Sequence, residues 1–147
     1  MKNKELIQEW INFARMDFLA AKHLYDHMYP KPLEIICYHC QQSIEKLLKG
    51  ALISKGVMIK KTHDLGLLAE MLQEYEAVDE KYLEMCDDLT PYGVKIRYPQ
   101  ELYIEEYHVT KALQETETLY EWLMGILESQ KAGRDEQGED QKEEGKI

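Results

Sequence analysis

The chain has 147 residues, a length that suits one domain with a single core. Its formal net charge is -10, and this acidic balance argues against a broad basic surface that would bind duplex DNA. Because prolines and glycines are few, the sequence predicts a mainly helical globular protein. No apolar run reaches the roughly 20 residues of a membrane span, and the polar start lacks a signal-peptide core. We therefore expect a cytoplasmic protein with no membrane segment.

The first predicted helix runs from about Lys4 to Met28 and has one broad apolar face. This face consists of Leu6, Ile7, Trp10, Phe13, Ala14, Ala21, Leu24 and Met28. Asp17 falls near its middle, where an ionised carboxylate is costly unless it is paired or hydrogen-bonded. Asp17 is either satisfied by a backbone or tyrosine donor, or it orients a cation such as Arg97, Lys46 or His39.

The second predicted helix runs from Leu33 to about Ser54, with Gly56 as its stop signal. Its predicted core face consists of Ile36, Cys37, Cys40, Ile44, Leu47, Leu48 and Ala51. The opposite side carries a polar band of His39, Gln42, Lys46 and Lys49. Ser43 and Gly50 flank this band and are small enough to let another backbone come close.

Cys37 and Cys40 have a spacing that zinc sites and redox pairs also use. Both lie on the apolar face of the second helix, where a free cysteine behaves as a small hydrophobe. No second ligand pair is visible, because Cys86 and His63 are isolated in the sequence. The pattern therefore favours reduced core cysteines, with no metal and no cofactor.

The remaining chain predicts two short helices, a loop and a long last helix. The third helix has Thr62 as a good N-cap and Asp64 at its positive end. The fourth covers roughly Asp79 to Leu89, and the loop covers Thr90–Gln100. The last helix, about Glu101–Ser129, has a predicted core stripe of Val109, Leu113, Thr116, Tyr120, Leu123 and Leu127.

The predicted fold is all-α, an up-and-down bundle of four or five helices. We expect the bundle to occupy residues 1–130. Residues 131–147 are polar, and we expect them to form a disordered tail.

The polar band of the second helix is a candidate binding surface. His39 lies one helical turn from Gln42 and two from Lys46. Imidazole, amide and ammonium groups together could hold a phosphate or the edge of a base. The ordinary alternative is a solvated helix face.

The predicted loop carries a second set of candidate ligand-binding residues. Arg97 can bind phosphate through two hydrogen bonds, and Tyr98 can stack on a base. Tyr92 and Lys95 enrich the same loop. The alternative is a loop that closes the bundle and exposes an ordinary arginine.

Four segments, in this order, carry a family resemblance: "ARMDFLAAKHLY", "CYHCQQSIEKLLKGALISKG", "KTHDLGLLAEM" and "YGVKIRYP". Together they resemble the prokaryotic HEPN domain over most of Ile11 to Met124. The resemblance implies an all-helical bundle, typically a homodimer, that binds nucleotides or RNA. Such members are often encoded beside a minimal nucleotidyltransferase, as a substrate-binding subunit or as half of a toxin–antitoxin pair. The positions that match the family are Asp17, His39, Gln42, Lys46, His63, Asp64, Arg97 and Tyr98.

Other branches of this family are metal-independent ribonucleases whose signature is an arginine, four to six residues, then a histidine. This sequence departs from that signature, because the first histidine after Arg97 is His108. The spacing from Arg15 to His23 is also too long. The sequence thus favours the non-catalytic, nucleotide-binding branch.

Three functions follow from this reading. The first is a nucleotide- or RNA-binding module that works with a nucleotidyltransferase partner. Its primary site is predicted to contain Asp17, His39, Gln42, Lys46, Arg97 and Tyr98, with His63, Asp64 and Tyr92 as secondary candidates. The second is a ribonuclease with an atypical acid, His39 or His108. The third is a non-catalytic dimeric interaction protein, for which Trp122, Ser43 and Gly50 are the residues of interest.

Overall fold

A computed structural model describes the backbone of residues 2–94 and 103–145 and the side chains of residues 3–93 and 103–129. Its elements, in chain order, are α1 (Lys2–His27), α2 (Leu33–Ser54), α3 (Leu65–Leu72), α4 (Glu80–Leu89), the short α5 (Pro91–Val94) and α6 (Glu106–Gly145). The described residues form an all-helical bundle, which confirms the predicted fold class. None of the helices described is both long enough and apolar enough to cross a membrane.

The central helix of the bundle is α2, which contacts all the other helices. Every residue of its predicted core face is fully buried: Ile36, Cys37, Cys40, Ile44, Leu47, Leu48 and Ala51. Leu52, one position beyond that set, is also fully buried. Burial of this apolar surface is the main driving force for the fold.

Small side chains let α1 approach α2 closely. The Ser43 hydroxyl donates a hydrogen bond to the Ala14 carbonyl at 2.8 Å. A Cβ atom added at Gly50 would lie 3.3 Å from the Trp10 Cβ. The close backbone approach predicted at Ser43 and Gly50 therefore occurs within the chain.

The buried face of α1 is rotated from the predicted one. Ala14 and Ala21 are fully buried as expected, and Phe18, which the prediction omitted, is 8% exposed. Leu6, Phe13 and Met28 are instead 40%, 60% and 50% exposed, so their assignment to the buried face was wrong. Ala14 contacts α2 through its hydrogen bond with Ser43, and Phe13, the preceding residue of the helix, points away from this contact.

The ends of α2 and α3 follow local signals. Gly56 adopts a φ of 78°, a left-handed conformation that glycine tolerates, and this ends α2 where predicted. The N-cap of α3 is Asp64, whose carboxylate accepts from the Leu67 N–H at 3.2 Å. Thr62 was wrongly predicted as this cap. Its hydroxyl oxygen instead accepts the Asp64 N–H at 3.1 Å.

The predicted loop after α4 was wrong at its beginning, because Pro91–Val94 is helical. Residues 95–102 lie outside the described residues. The last helix begins at Glu106 rather than Glu101. Its buried stripe includes Val109, Thr116, Leu123 and Leu127 as predicted, together with Ala112 and Leu119.

The backbone of α6 continues as a helix to Gly145, past the predicted end near Ser129. Glutamate, glutamine and lysine dominate this extension, and all three are good helix formers. The division into a bundle, residues 1–130, and a disordered tail, residues 131–147, stays a prediction.

Trp122 was predicted to face a partner because it lies off the core stripe of α6. Its ring stacks on the Tyr82 ring of α4, with a centroid distance of 4.3 Å and an interplanar angle of 10°. This aromatic pair joins α6 to α4. Trp122 is thus engaged within the chain.

Candidate functional site

Asp17 of α1 meets two polar side chains of α2. Its Oδ1 lies 2.9 Å from His39 Nδ1, and its Oδ2 accepts a short hydrogen bond from Lys46 Nζ. The exposed fractions of the side chains are 13% for Asp17, 27% for His39 and 23% for Lys46. The packing of α1 on α2 therefore brings together three side chains in a partly buried position. We call Asp17, His39 and Lys46 the Asp17 cluster.

The Asp17 cluster keeps hydrogen-bonding capacity for a ligand. A carboxylate only accepts, so the Nδ1 of His39 carries the hydrogen of its contact and leaves Nε2 available. The Lys46 ammonium has three donors, of which Asp17 takes one. Lys46 Nζ also lies 5.7 Å from the centre of the Phe13 ring, within range of a cation–π interaction. The arrangement can hold an anion against Lys46 and His39.

A second polar cluster lies on an adjacent face of α2. The Glu45 side chain is only 6% exposed and accepts from Lys49 Nζ at 3.2 Å and from Gln41 Nε2 at 3.2 Å. His63 Nδ1 contacts the same carboxylate at 2.7 Å, although 55% of the His63 side chain is exposed. We call Gln41, Glu45, Lys49 and His63 the Glu45 cluster. Its three donors compensate for burial of the carboxylate.

Gln42 lies between the two clusters on α2. Its Nε2 donates to Gln41 Oε1 at 2.7 Å, and Gln41 Nε2 also donates to the backbone carbonyl of His63 at 3.0 Å. The Gln42 amide thus orients the fully buried Gln41 amide.

Gln41, Glu45 and Lys49 form a buried polar row that the sequence analysis did not assign to the site. Their signal was a repeat of polar residues four positions apart in an apolar helix. Lys49 was placed on the exposed band, yet it is 8% exposed. Such a row points inward only if another element supplies partners, and His63, from the segment before α3, is that partner.

Other candidate residues lie elsewhere. Arg97 and Tyr98 are outside the described residues, so their part in the site remains a prediction. Asp64 caps α3. Tyr92 lines a cavity with α4 and α6 residues, and burial raises the pKa of its hydroxyl to about 12.

The three cysteines are buried and free, which agrees with the core assignment predicted for Cys37 and Cys40. Burial raises the pKa of Cys37, Cys40 and Cys86 to about 12 each, so the thiols stay protonated at neutral pH. Among the described residues, no group of three histidine, cysteine or acidic side chains could hold a metal ion.

Comparison with known proteins identifies the family of this fold. No curated protein matches the chain significantly. The structure of TT1696 from Thermus thermophilus is similar with a TM-score of 0.71 and 21% identity, over 82% of this chain and 97% of that one. The structure of ST0689, an archaeal HEPN homologue, gives a TM-score of 0.64 and 21% identity, over 81% and 95% of the two chains. The family model of the HEPN domain matches residues 7–128. The chain therefore belongs to the HEPN domain family.

Proposed function

We propose that this chain binds the phosphate groups of a nucleotide or short RNA at the Asp17 cluster, as the partner of a minimal nucleotidyltransferase. The observation that supports the proposal is the convergence of Lys46 and His39 on the Asp17 carboxylate. Membership of the HEPN family adds support, because the resemblance implies nucleotide or RNA binding.

Each member of the cluster has a distinct role in this proposal. Lys46 supplies the positive charge and two free donors, and His39 presents Nε2 to the ligand. Asp17 positions both side chains and does not touch the anion. Arg97 would add a bidentate phosphate contact, and Tyr98 would stack on the base.

Isothermal titration with nucleotides and short single-stranded RNAs tests the proposal. We expect Lys46→Ala and Arg97→Ala each to weaken binding by about tenfold or more, since each removes hydrogen bonds to a charged group. Lys81→Ala is the matched control. It removes the same charge from α4, which has no contact with α1.

Two outcomes would overturn parts of the proposal. If Lys46→Ala and Arg97→Ala bind as tightly as the parent, the site is wrongly assigned. If the parent binds neither nucleotides nor RNA, the proposed function is wrong. Copurification with the product of a neighbouring gene tests the partner, and a nucleotidyltransferase should be recovered.

A ribonuclease is the second candidate, because the Asp17 carboxylate fixes His39 Nδ1 and leaves Nε2 to transfer a proton. In His108, the other candidate acid, Nδ1 accepts the Glu105 N–H at 2.9 Å, which also leaves Nε2 available. Incubation of the protein with RNA in the presence of a chelator tests this function. Cleavage should be lost in His39→Ala or His108→Ala and kept in His27→Ala, which alters an exposed histidine at the end of α1. Intact RNA with the parent would reject it.

The interaction protein is the third candidate. Ser43 and Gly50 contact α1, and Trp122 stacks on Tyr82, so these residues are engaged within the chain. A homodimer remains part of our proposal. Outward-facing apolar residues of α1 offer the surface that a second copy would cover.

A further inference from the structure

A groove between α4 and α6 lies apart from the Asp17 and Glu45 clusters. It has a volume of about 500 Å³, and a smaller cavity of about 180 Å³ adjoins it toward α5. Asp88, Lys111 and Glu115 line both spaces. A ligand in the groove would therefore meet these three side chains.

One carboxylate oxygen of Glu115 has no hydrogen-bond partner among the described residues. Its side chain is only 9% exposed, and Oε1 lies 3.5 Å from Lys111 Nζ. Oε2 is buried and accepts no hydrogen bond from the described part of the chain. Because buried polar atoms are nearly always hydrogen-bonded, this oxygen indicates a donor that the described residues do not supply.

Lys111 interacts only weakly with the carboxylates of Asp88 and Glu115. Its Nζ lies 3.3 Å from Asp88 Oδ2 and 3.5 Å from Glu115 Oε1. Both distances exceed the roughly 2.7–2.9 Å of good charge-assisted hydrogen bonds. The Lys111 side chain is also 61% exposed, so another cation can replace it.

We propose that Asp88 and Glu115 form a binding site for the primary ammonium group of a small organic amine. The Lys111 ammonium competes with this ligand for the two carboxylates. An ammonium carries three donors, which match the oxygens of Asp88 and Glu115. The acidic charge of the whole chain raises the local concentration of such cations. This site is independent of the proposed phosphate site.

Binding at this site is linked to protonation of Glu115. Burial and the nearby Asp88 charge raise the pKa of Glu115 to about 7, and Lys111 opposes this shift. An ammonium ligand favours the ionised carboxylate, so affinity rises as the pH passes through about 7. The titratable and charged groups around Glu115 are Lys81, Glu84, Cys86 and Asp88 of α4, Tyr92 of α5, and His108 and Lys111 of α6.

Titration calorimetry with putrescine above neutral pH tests the site through two pairs of variants. Glu115→Gln should weaken binding by about tenfold or more, because a charged acceptor is lost. Glu84→Gln removes the same charge from an exposed position in the groove and should have a smaller effect. Lys111→Gln should strengthen binding, and by more than Lys81→Gln, which makes the same charge change in the groove.

A second probe separates hydrogen bonding from general attraction of cations. The bis(trimethylammonium) analogue of putrescine has the same charge but no N–H donor, so it should bind markedly more weakly. Carbon-13 NMR of the parent should also show that putrescine lowers the pKa of Glu115. The proposal would be overturned if the two probes bind equally, or if the two variants of either pair have equal effects. It would also be overturned if putrescine leaves the Glu115 titration unchanged.

Discussion

The side-chain amide of Gln41 lies directly against the α-carbon of Gly93. A Cβ atom at position 93 would come within 2.6 Å of both the oxygen and the nitrogen of that amide. Gln41 cannot retreat freely, because it is fully buried and hydrogen-bonded to Glu45 and to the His63 carbonyl. Glycine at this position thus lets α5 close over the Glu45 cluster.

We expect Gly93→Ala to lower the free energy of unfolding by about 1–3 kcal/mol, since overpacking displaces a buried amide. Gly125→Ala is the control, because no atom lies within 4 Å of a Cβ at that exposed helical position. It should stabilise the protein by about 0.5–1 kcal/mol. Urea unfolding measures both. A Gly93→Ala variant as stable as the parent would contradict this packing.

The buried pair of Glu45 and Lys49 should be strongly coupled. Glu45→Gln leaves the Lys49 ammonium buried without its charge partner, and a loss of about 3–5 kcal/mol is expected. The double variant Glu45→Gln, Lys49→Gln should lose less than the sum of the single variants, as measured by urea unfolding. Lys31 and Glu106, an exposed pair 3.2 Å apart, serve as the control and should show much weaker coupling. Additive effects at Glu45 and Lys49 would refute the coupling.

Asp17 should increase ligand affinity although it carries the same charge sign as the proposed ligand. Asp17→Asn frees Lys46 and His39 from their common acceptor, and we expect nucleotide or RNA binding to weaken by roughly tenfold. Asp26→Asn makes the same charge change at an exposed site on α1 and should leave binding unchanged or slightly stronger. Calorimetry with both variants measures the difference. A gain in affinity for Asp17→Asn would show that Asp17 only repels the ligand.

Glu115 should make the protein less stable as the pH rises from about 4.5 to about 7. Burial, followed by the Asp88 charge, raises its folded-state pKa to about 7, whereas its unperturbed value is 4.5. In this window the folded state retains a proton that the unfolded state has released. Each rise in pH therefore favours unfolding, until both states are ionised above about pH 7.

Urea unfolding of the parent and Glu115→Gln across this window checks the effect. The stability of the variant relative to the parent should rise with pH by about 1–3 kcal/mol and then stay constant. Glu84→Gln, at an exposed position, should show no such rise. A constant difference between Glu115→Gln and the parent from about pH 5 to 8 would argue against the raised pKa.

The outward face of α1 is where we expect a second copy to bind. Phe13, Met16 and Leu19 are 60%, 64% and 49% exposed there. Light scattering should give a dimer for the parent and a monomer for Met16→Glu, which places a charge in the apolar surface. Tyr75→Glu, at an apolar position 47% exposed outside α1, is the control and should remain dimeric. A monomeric parent at micromolar concentration would reject the homodimer.

Local patterns were sufficient to predict most of the helices. The bounds of α2 and all seven of its predicted core residues agree with the structure, because a 3.6-residue apolar repeat needs no knowledge of the partner helix. The misplacement of Phe13 shows the limit of this reasoning. A broad apolar face can be buried in more than one rotation of the helix. The contact of Ala14 with α2 determines which residues of that face are buried.

Less of the candidate site than of the helices could be predicted from the sequence. The misfit of Asp17 in an apolar stripe predicted that it needs a partner, but Arg97, Lys46 and His39 were all candidates. Packing of α1 on α2 brings His39 and Lys46 to that carboxylate. Glu45 meets His63 only because the segment before α3 folds back onto α2. Helical periodicity determines which residues share a face, whereas the meeting of charges from distant segments depends on how the helices pack.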